Sequence, residues 1–312
     1  MGVDIILNRN ARRLANDGRL YRNLLAAASR GSARVHETRT LHDLDRVVRE
    51  IAGRGTDAVV LAGGDGSHMA GVSALSATFG MALPPVALAP CGTVCTVSRN
   101  FGIHGNSGAW ATRLVVGVCS GATHIERKAT LRVSDETGGD RVGFIFGAGL
   151  VARFFDVYYA SSRSGLTNAA VIAGRVFAGS FVGTAFARRI LQPTRCTASI
   201  DGVPHPGREW RLILASVVRD VGLHLLATYR GGEALDRFHV VASGAPPRAL
   251  AAQAPRVLAG LPLRGDPRID ALARSLTVHF DATSGAYVLD GDVFHTREAR
   301  VEPGPVLPLL LP

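Results

Sequence analysis

Gly63-Gly64-Asp65-Gly66-Ser67 follows directly on the apolar run Ala58-Val59-Val60-Leu61. Such a run suits a strand covered on both faces, and the glycines behind it permit positive φ and close backbone approach. The stretch reads as a strand ending in a phosphate-binding turn, with a helix opening near Ser67 whose free N–H groups and positive dipole end face an anion. An acid in such a loop repels a phosphate unless a divalent ion stands between them or the acid orients a hydroxyl. Asp65 therefore implies magnesium as the mediator. A second glycine-bearing turn, PCGTVCTVSRNFGI at residues 90–103, follows another short apolar run at 86–89. Turns leaving neighbouring parallel strands open on one sheet edge, where doubly wound folds bind their ligands. Neither loop is a GxxxxGK[ST] phosphate loop or a GxGxxG dinucleotide fingerprint.

The elements that must position these loops are legible in the same way. Strands are predicted at residues 3–7, 34–38, 58–61 and 86–89, with helices at 21–29 and 41–54. The latter carries Leu41, Leu44, Val47, Val48 and Ile51 at helical spacing. Strands alternating with helices predict a doubly wound parallel sheet. After residue 126 the pattern changes to short strands: 131–134 and 142–146 flank a polar turn, and Asp-Gly turns at 201–202 and 290–291 mark hairpins. This half reads as an antiparallel domain with one inserted helical segment, 169–191. The expected organisation is an α/β nucleotide domain over 1–127 and a β-rich substrate domain over 128–295, with a tail of about 296–312 packing back on the first.

The chain has 312 residues and 35 basic against 25 acidic side chains, giving a formal net charge of +10, with Lys128 its single lysine. A basic surface of this kind attracts nucleotides and anionic lipid headgroups at long range. Aromatic residues make up only 6% and do not interleave with the arginines, so nucleic acid is not an expected partner. Cys91, Cys95, Cys119 and Cys196 form no CxxC pair or zinc-ligand spacing and are expected as reduced thiols of a cytoplasmic protein. The apolar segment 169–187 is interrupted by Arg175 and three glycines. It is expected as a core or interfacial helix rather than a membrane span.

GGDGS, then PCGTVCTVSRNFGI, then GFIFGAGL and finally LDGD, in this order, resemble the diacylglycerol kinase catalytic-domain family, which includes bacterial lipid kinases and the sphingosine and ceramide kinases. The resemblance implies an N-terminal α/β nucleotide domain, a C-terminal antiparallel β-sandwich, an active site in the cleft between them, and transfer of the γ-phosphate of ATP, with Mg2+, to a lipid hydroxyl. It places Asn8, Gly63, Gly64, Asp65, Gly66, Ser67, Gly92, Thr93 and Glu126 on the nucleotide. Asp65 and Asp290 become catalytic, Asp290 as general base, and Asp65 and Asp292 become metal ligands, with Asp292 standing where the family has glutamate. A lipid alcohol is the implied substrate, with peripheral contact to the anionic inner membrane face. An exposed edge strand of the second domain would allow a homodimer.

Two segments depart from the family pattern. Cys95 and Thr96 occupy the Asn-Asp positions of Gly-Thr-x-Asn-Asp, and Gly231 stands for the first aspartate of an Asp-Gly-x-Leu-Asp segment that helps hold a structural magnesium in several bacterial members. They motivate an alternative reading, a non-catalytic nucleotide- or lipid-binding protein that kept the fold. NAD kinases share GGDG but follow it with an Asn-Glu pair that is absent here, and the sugar-phosphate signatures of phosphofructokinases are missing.

Overall fold

The computed structural model describes residues 2–103, 108–161, 165–281 and 285–312. They form two compact units, Met1–Thr130 with Gly304–Pro312, and Leu131–Pro303.

The first unit alternates strand and helix: β1 (Val3–Asn8), α1 (Arg12–Asn16), α2 (Gly18–Arg30), β2 (Arg34–Thr38), α3 (Leu41–Arg54), β3 (Ala58–Gly63), α4 (Asp65–Phe79), β4 (Val86–Pro90), α5 (Thr96–Asn100), α6 (Gly108–Ser120) and β5 (His124–Lys128). The second unit runs β6 (Leu131–Asp135), β7 (Asp140–Gly143), β8 (Ile145–Gly149), α7 (Leu150–Ala160), α8 (Leu166–Val182), α9 (Ala185–Ile190), β9 (Thr194–Ile200), β10 (Val203–Pro204), β11 (Glu209–Trp210), β12 (Leu212–Ser216) and β13 (Phe238–Ser243). It continues through α10 (Pro247–Ala251), α11 (Ala254–Leu258), β14 (Arg268–Ala273), β15 (Leu276–Phe280), β16 (Gly285–Leu289), β17 (Asp292–Thr296) and β18 (Glu298–Pro303). A last strand, β19 (Leu307–Leu311), returns to the first unit.

The first sheet has the order β2-β1-β3-β4-β19-β5, parallel except for β5 against β19. After β2 the chain crosses to the other side of β1, so the carboxyl ends of β1 and β3 form a topological switch point. Alternate residues of β1 go to opposite faces. Val3, Ile5 and Leu7 join Leu20, Leu24 and Leu114 beneath α2 and α6. The other face is covered by α3, whose start is fixed by a reciprocal cap: Asp43 N–H donates to Thr40 Oγ1 at 3.1 Å, and Thr40 N–H to Asp43 Oδ2 at 3.0 Å. Leu44, Val47, Val48 and Ile51 are buried as expected, but Leu41, in the first turn, is 69% exposed.

In the second unit every pairing is antiparallel, in sheets ordered β10-β9-β15-β18-β6-β7, with β11 beside β9, and β14-β13-β12-β8-β16-β17. The expected strand over 142–146 divides: β7 belongs to one sheet and β8 to the other, with Phe144 between them. The expected helix over 169–191 also divides, because Gly183 turns left-handed at φ 69° and Thr184 caps a new helix. α7 was not foreseen, since its Phe-Phe-Asp-Val-Tyr-Tyr run favours a strand by propensity. Among the described residues no helix is long and apolar enough to cross a membrane.

A buried histidine joins two elements of the first unit. His68 in α4 shares a hydrogen bond with Ala89 O of β4 at 3.2 Å, and burial pushes its pKa down to about 4. The folded protein thus resists a proton that the unfolded chain accepts near pH 6.5, so stability is full above that pH and falls as pH drops toward 4. Urea unfolding between pH 7 and 4.5 should show a loss of up to about 3 kcal/mol that His68→Gln flattens. An equal slope in both proteins would remove His68 as its source.

Candidate functional site

The glycine-rich stretch is tighter than a free loop. Gly63 is the last residue of β3, Gly64 caps α4, and Asp65, Gly66 and Ser67 already lie in the helix. The helix thus opens two residues before the expected start, and none of Gly63, Gly64 and Gly66 adopts the positive φ that the sequence permitted, nor does Gly92. The glycines serve close approach instead. A Cβ on Gly63 would lie 2.3 Å from Ser67 Cβ, and one on Gly92 would lie 2.4 Å from Gly64 Cα. The two turns therefore touch backbone to backbone, and Cys91 N–H donates to Gly63 O at 2.8 Å. Asn8, at the end of β1, donates through Nδ2 to Ser67 Oγ at 2.6 Å. Asn8, Gly63, Gly64, Asp65, Gly66, Ser67 and Gly92 are brought together, and Thr93 is exposed on the bend that follows.

Asp65 ties the first turn to α5. Its Oδ2 accepts from Thr96 N–H at 2.8 Å and its Oδ1 from Val97 N–H at 3.1 Å. Burial pushes the carboxyl pKa up, while these two amides and the charge of Arg99 hold it partly back. Cys95 takes the left-handed conformation at φ 52° to aim those amides, and burial pushes its thiol up to about 12. Arg13 and Arg99 are near enough for their charges to act on that thiol. They are cations beside the paired turns that motif reading passed over.

Beside Asn8 and Ser67 lies a cavity of about 140 Å3, at the switch point. Its walls include Thr38, Arg39 and Thr40 from the end of β2, with Leu41 and Leu44 of α3. None of the three polar residues was picked as a site residue from sequence, where Thr38 reads as the end of a strand and Arg39 and Thr40 as the link to the next helix. Leu41, left out of the core, lines this cavity.

Residues 3–125 match the family described as the diacylglycerol kinase catalytic domain. The resemblance seen in the motifs is thus borne out over the first unit. No curated protein matches the chain. The fold is shared with a diacylglycerol kinase from Bacillus anthracis, at 14% identity and TM-score 0.65 over 99% of this chain and 96% of that one. It is also shared with an NAD kinase from Archaeoglobus fulgidus solved in complex with ATP, at 14% identity and TM-score 0.50 over 99% and 92%.

Against the diacylglycerol kinase pattern, Glu126 does not join the paired turns. Register sets it opposite Leu309, which pairs with Val86 at the start of β4. Gly92 lies beyond the other end of that strand, six residues on and about 20 Å away along it. Lys128 at 2.5 Å and His124 at 3.3 Å occupy the Glu126 carboxylate and hold its pKa below the usual range.

In the second unit Asp290 has φ 48° and Gly291 φ 101°, a two-residue hairpin turn joining β16 to β17. The Asp290 carboxylate accepts from Phe144 N–H at 3.0 Å and from Ile145 N–H at 2.8 Å, where the chain passes from one sheet to the other. Asp292 is exposed just past the turn. The structural-magnesium segment of the family is rebuilt. A Cβ on Gly231 would lie 2.4 Å from Val218 O, so an aspartate does not fit there. Asp236 is paired with Arg274 at 2.6 Å and Glu233 with Arg230 at 3.0 Å. Guanidinium groups take up the carboxylates that a cation would need.

Gly92→Ala should lower stability by about 1–3 kcal/mol through overpacking against Gly64. Gly53→Ala, with open space around its new Cβ, is the control and should be neutral or stabilising. Equal urea midpoints for both variants would show that the two turns are not in forced contact.

Proposed function

We propose that this protein is an ATP-dependent kinase that transfers the γ-phosphoryl group to the hydroxyl of a lipid alcohol of the diacylglycerol or sphingosine type. The observation that carries the reading is the paired turn: Gly64 and Gly92 in backbone contact at the switch point, with Asn8 and Ser67 beside them. The adjoining cavity suits a nucleoside, with Leu41 and Leu44 against the base and Thr38, Arg39 and Thr40 for polar contacts. Arg13 and Arg99 favour phosphate on electrostatic grounds.

Among the described residues no group of three His, Cys, Asp or Glu side chains could hold a metal ion. Magnesium fits as an ion carried by the nucleotide, since it keeps waters and needs only one or two carboxylates beside the phosphates. Asp65, whose oxygens each keep a lone pair beyond the amide they accept, would hold it. When bound, the ion would offset charge on the phosphoryl oxygens.

A lipid alcohol is a weak nucleophile, so a carboxylate within hydrogen-bond reach assists as the proton leaves. Asp290 is the proposed base, held in a fixed direction by the Phe144 and Ile145 amides. The alternative, a nucleotide-binding protein without turnover, draws on Thr96, which cannot supply the carboxylate of the family motif.

Purified protein given γ-labelled ATP, Mg2+ and a panel of lipid alcohols should label at least one lipid. ATP binding without label on any lipid would support the alternative. Asp290→Asn keeps a residue tolerant of positive φ and should lower kcat by about 10²–10⁴ with little change in ATP affinity. A wild-type rate in that variant, with stability alone reduced, would leave Asp290 as a sheet-corner residue. Leu41→Asp should weaken ATP binding at least about tenfold without lowering the Tm, because the side chain is exposed and placed against the nucleoside cavity.

A further inference from the structure

A second cavity, of about 440 Å3, is walled by Tyr229, Arg230, Pro262, Arg268 and Asp270, all in the second unit. Its volume falls in the range of small-molecule sites, and four of its five lining residues carry polar groups. Arg268 and Asp270 stand two residues apart on β14, the edge strand of its sheet, and so share one face of it. Tyr229 and Arg230 come from the segment before β13. That segment is pinned by Thr228 Oγ1, which donates to Val218 O at 2.7 Å, and by Gly231 N–H, which donates to Thr228 O at 2.7 Å.

The Asp270 carboxylate is only half satisfied by the fold. Its Oδ1 accepts from Tyr229 OH at 2.9 Å and from His239 Nε2 at 2.9 Å. A carboxylate only accepts, so Nε2 carries the His239 proton. His239 is fully buried, and burial pushes its pKa down, so both donors are neutral. Asp270 Oδ2 is also buried, and it has no hydrogen-bond partner among the described residues. An acceptor in that position carries a desolvation cost that a bound donor removes. The opposite charge comes from two guanidinium groups. Arg268 donates through Nη1 to Leu263 O at 2.7 Å and Arg230 through Nε to Glu233 at 3.0 Å, each bond using one of the five N–H donors of its fork. These two cations disfavour a metal ion, and Asp270 disfavours a lone anion. With Glu233 bound to Arg230, the two guanidinium groups are balanced by two carboxylates. A ligand that enters without adding net charge therefore carries both signs.

We infer that this cavity binds a small zwitterion, with the ammonium group on Asp270 Oδ2 and the carboxylate or phosphate on Arg230 and Arg268. Guanidinium forks hold either anion with paired hydrogen bonds, and an ammonium on a carboxylate is a charge-assisted donor. Free α-amino acids and the ethanolamine phosphodiester of a lipid headgroup share this chemistry. The site uses none of the residues assigned to the nucleotide or to the acceptor hydroxyl, so it stands whether or not the protein transfers a phosphoryl group.

The test is thermal denaturation of the full chain with each common L-α-amino acid and with glycerophosphoethanolamine at millimolar concentration, without nucleotide, followed by calorimetric titration of each compound that raises the Tm. At least one should raise it. An amino acid points to a free metabolite as the source, and glycerophosphoethanolamine alone to a lipid headgroup. The N-acetyl form of the binding compound, which lacks the ammonium, should bind at least about tenfold more weakly. Arg268→Gln, exposed on the edge strand, should also lose at least about tenfold in affinity while the Tm of the free protein stays nearly unchanged. Asp270→Asn keeps an acceptor for Tyr229 and His239 and should lose more. No Tm shift with any of the compounds would overturn the proposal. So would an N-acetyl form that binds as tightly as its parent, or full affinity in Arg268→Gln, the variant that leaves the buried pair intact. Because the assay uses no ATP, its failure would leave the kinase reading standing, and the labelling experiment can fail without affecting it.

Discussion

The constraint on which the first unit depends is the backbone contact between Gly64 and Gly92. β3 and β4 end side by side, so the chain leaving each must pass within van der Waals distance of the other. A Cβ at Gly92 would lie 2.4 Å from Gly64 Cα and push the turns apart, while one at Gly64 would lie 3.2 Å from Gly92 Cα, so glycine serves there for lack of a Cβ rather than for an unusual φ. Asp65 closes the arrangement from the opposite direction: it starts one helix and receives the first amides of another. The turn, the cap and the switch-point cavity are thus one construction, and the Thr96 position contributes its backbone to it although it lacks the usual carboxylate.

Charge is handled differently in the two units. In the first, Arg13 and Arg99 stand beside paired turns whose only acid is Asp65, which leaves a positive environment suited to phosphate. In the second, carboxylates that could gather around a cation are each matched to an arginine. The close packing of Gly231 on Val218 removes the space in which another ligand would stand. Guanidinium groups deliver directed hydrogen bonds to the carboxylates of this segment.

Asp290 has a structural job that does not conflict with the catalytic one proposed for it. As the first residue of a two-residue turn it sets the hairpin, and its carboxylate satisfies the amides of Phe144 and Ile145 at the point where the chain changes sheet and loses its ladder partners. An acid held by backbone amides is also oriented, as the proposed general base must be.

The sequence by itself determined what depends on local chemistry. The β–α alternation, the strand into Gly63, the second glycine turn, the apolar stripe of α3 and the Asp-Gly hairpins are all written in periods and dipeptides that act within a few residues. The family resemblance followed from the same segments. Tertiary structure decided what depends on residues far apart: that the glycines serve contact between turns, that Thr38 to Leu41 line the cavity, that Glu126 stands a strand length away from the turns, and that β19 enters the first sheet between β4 and β5. It also made a helix of the aromatic run in α7, because packing over a whole surface outweighs propensities of a few tenths of a kcal/mol per residue.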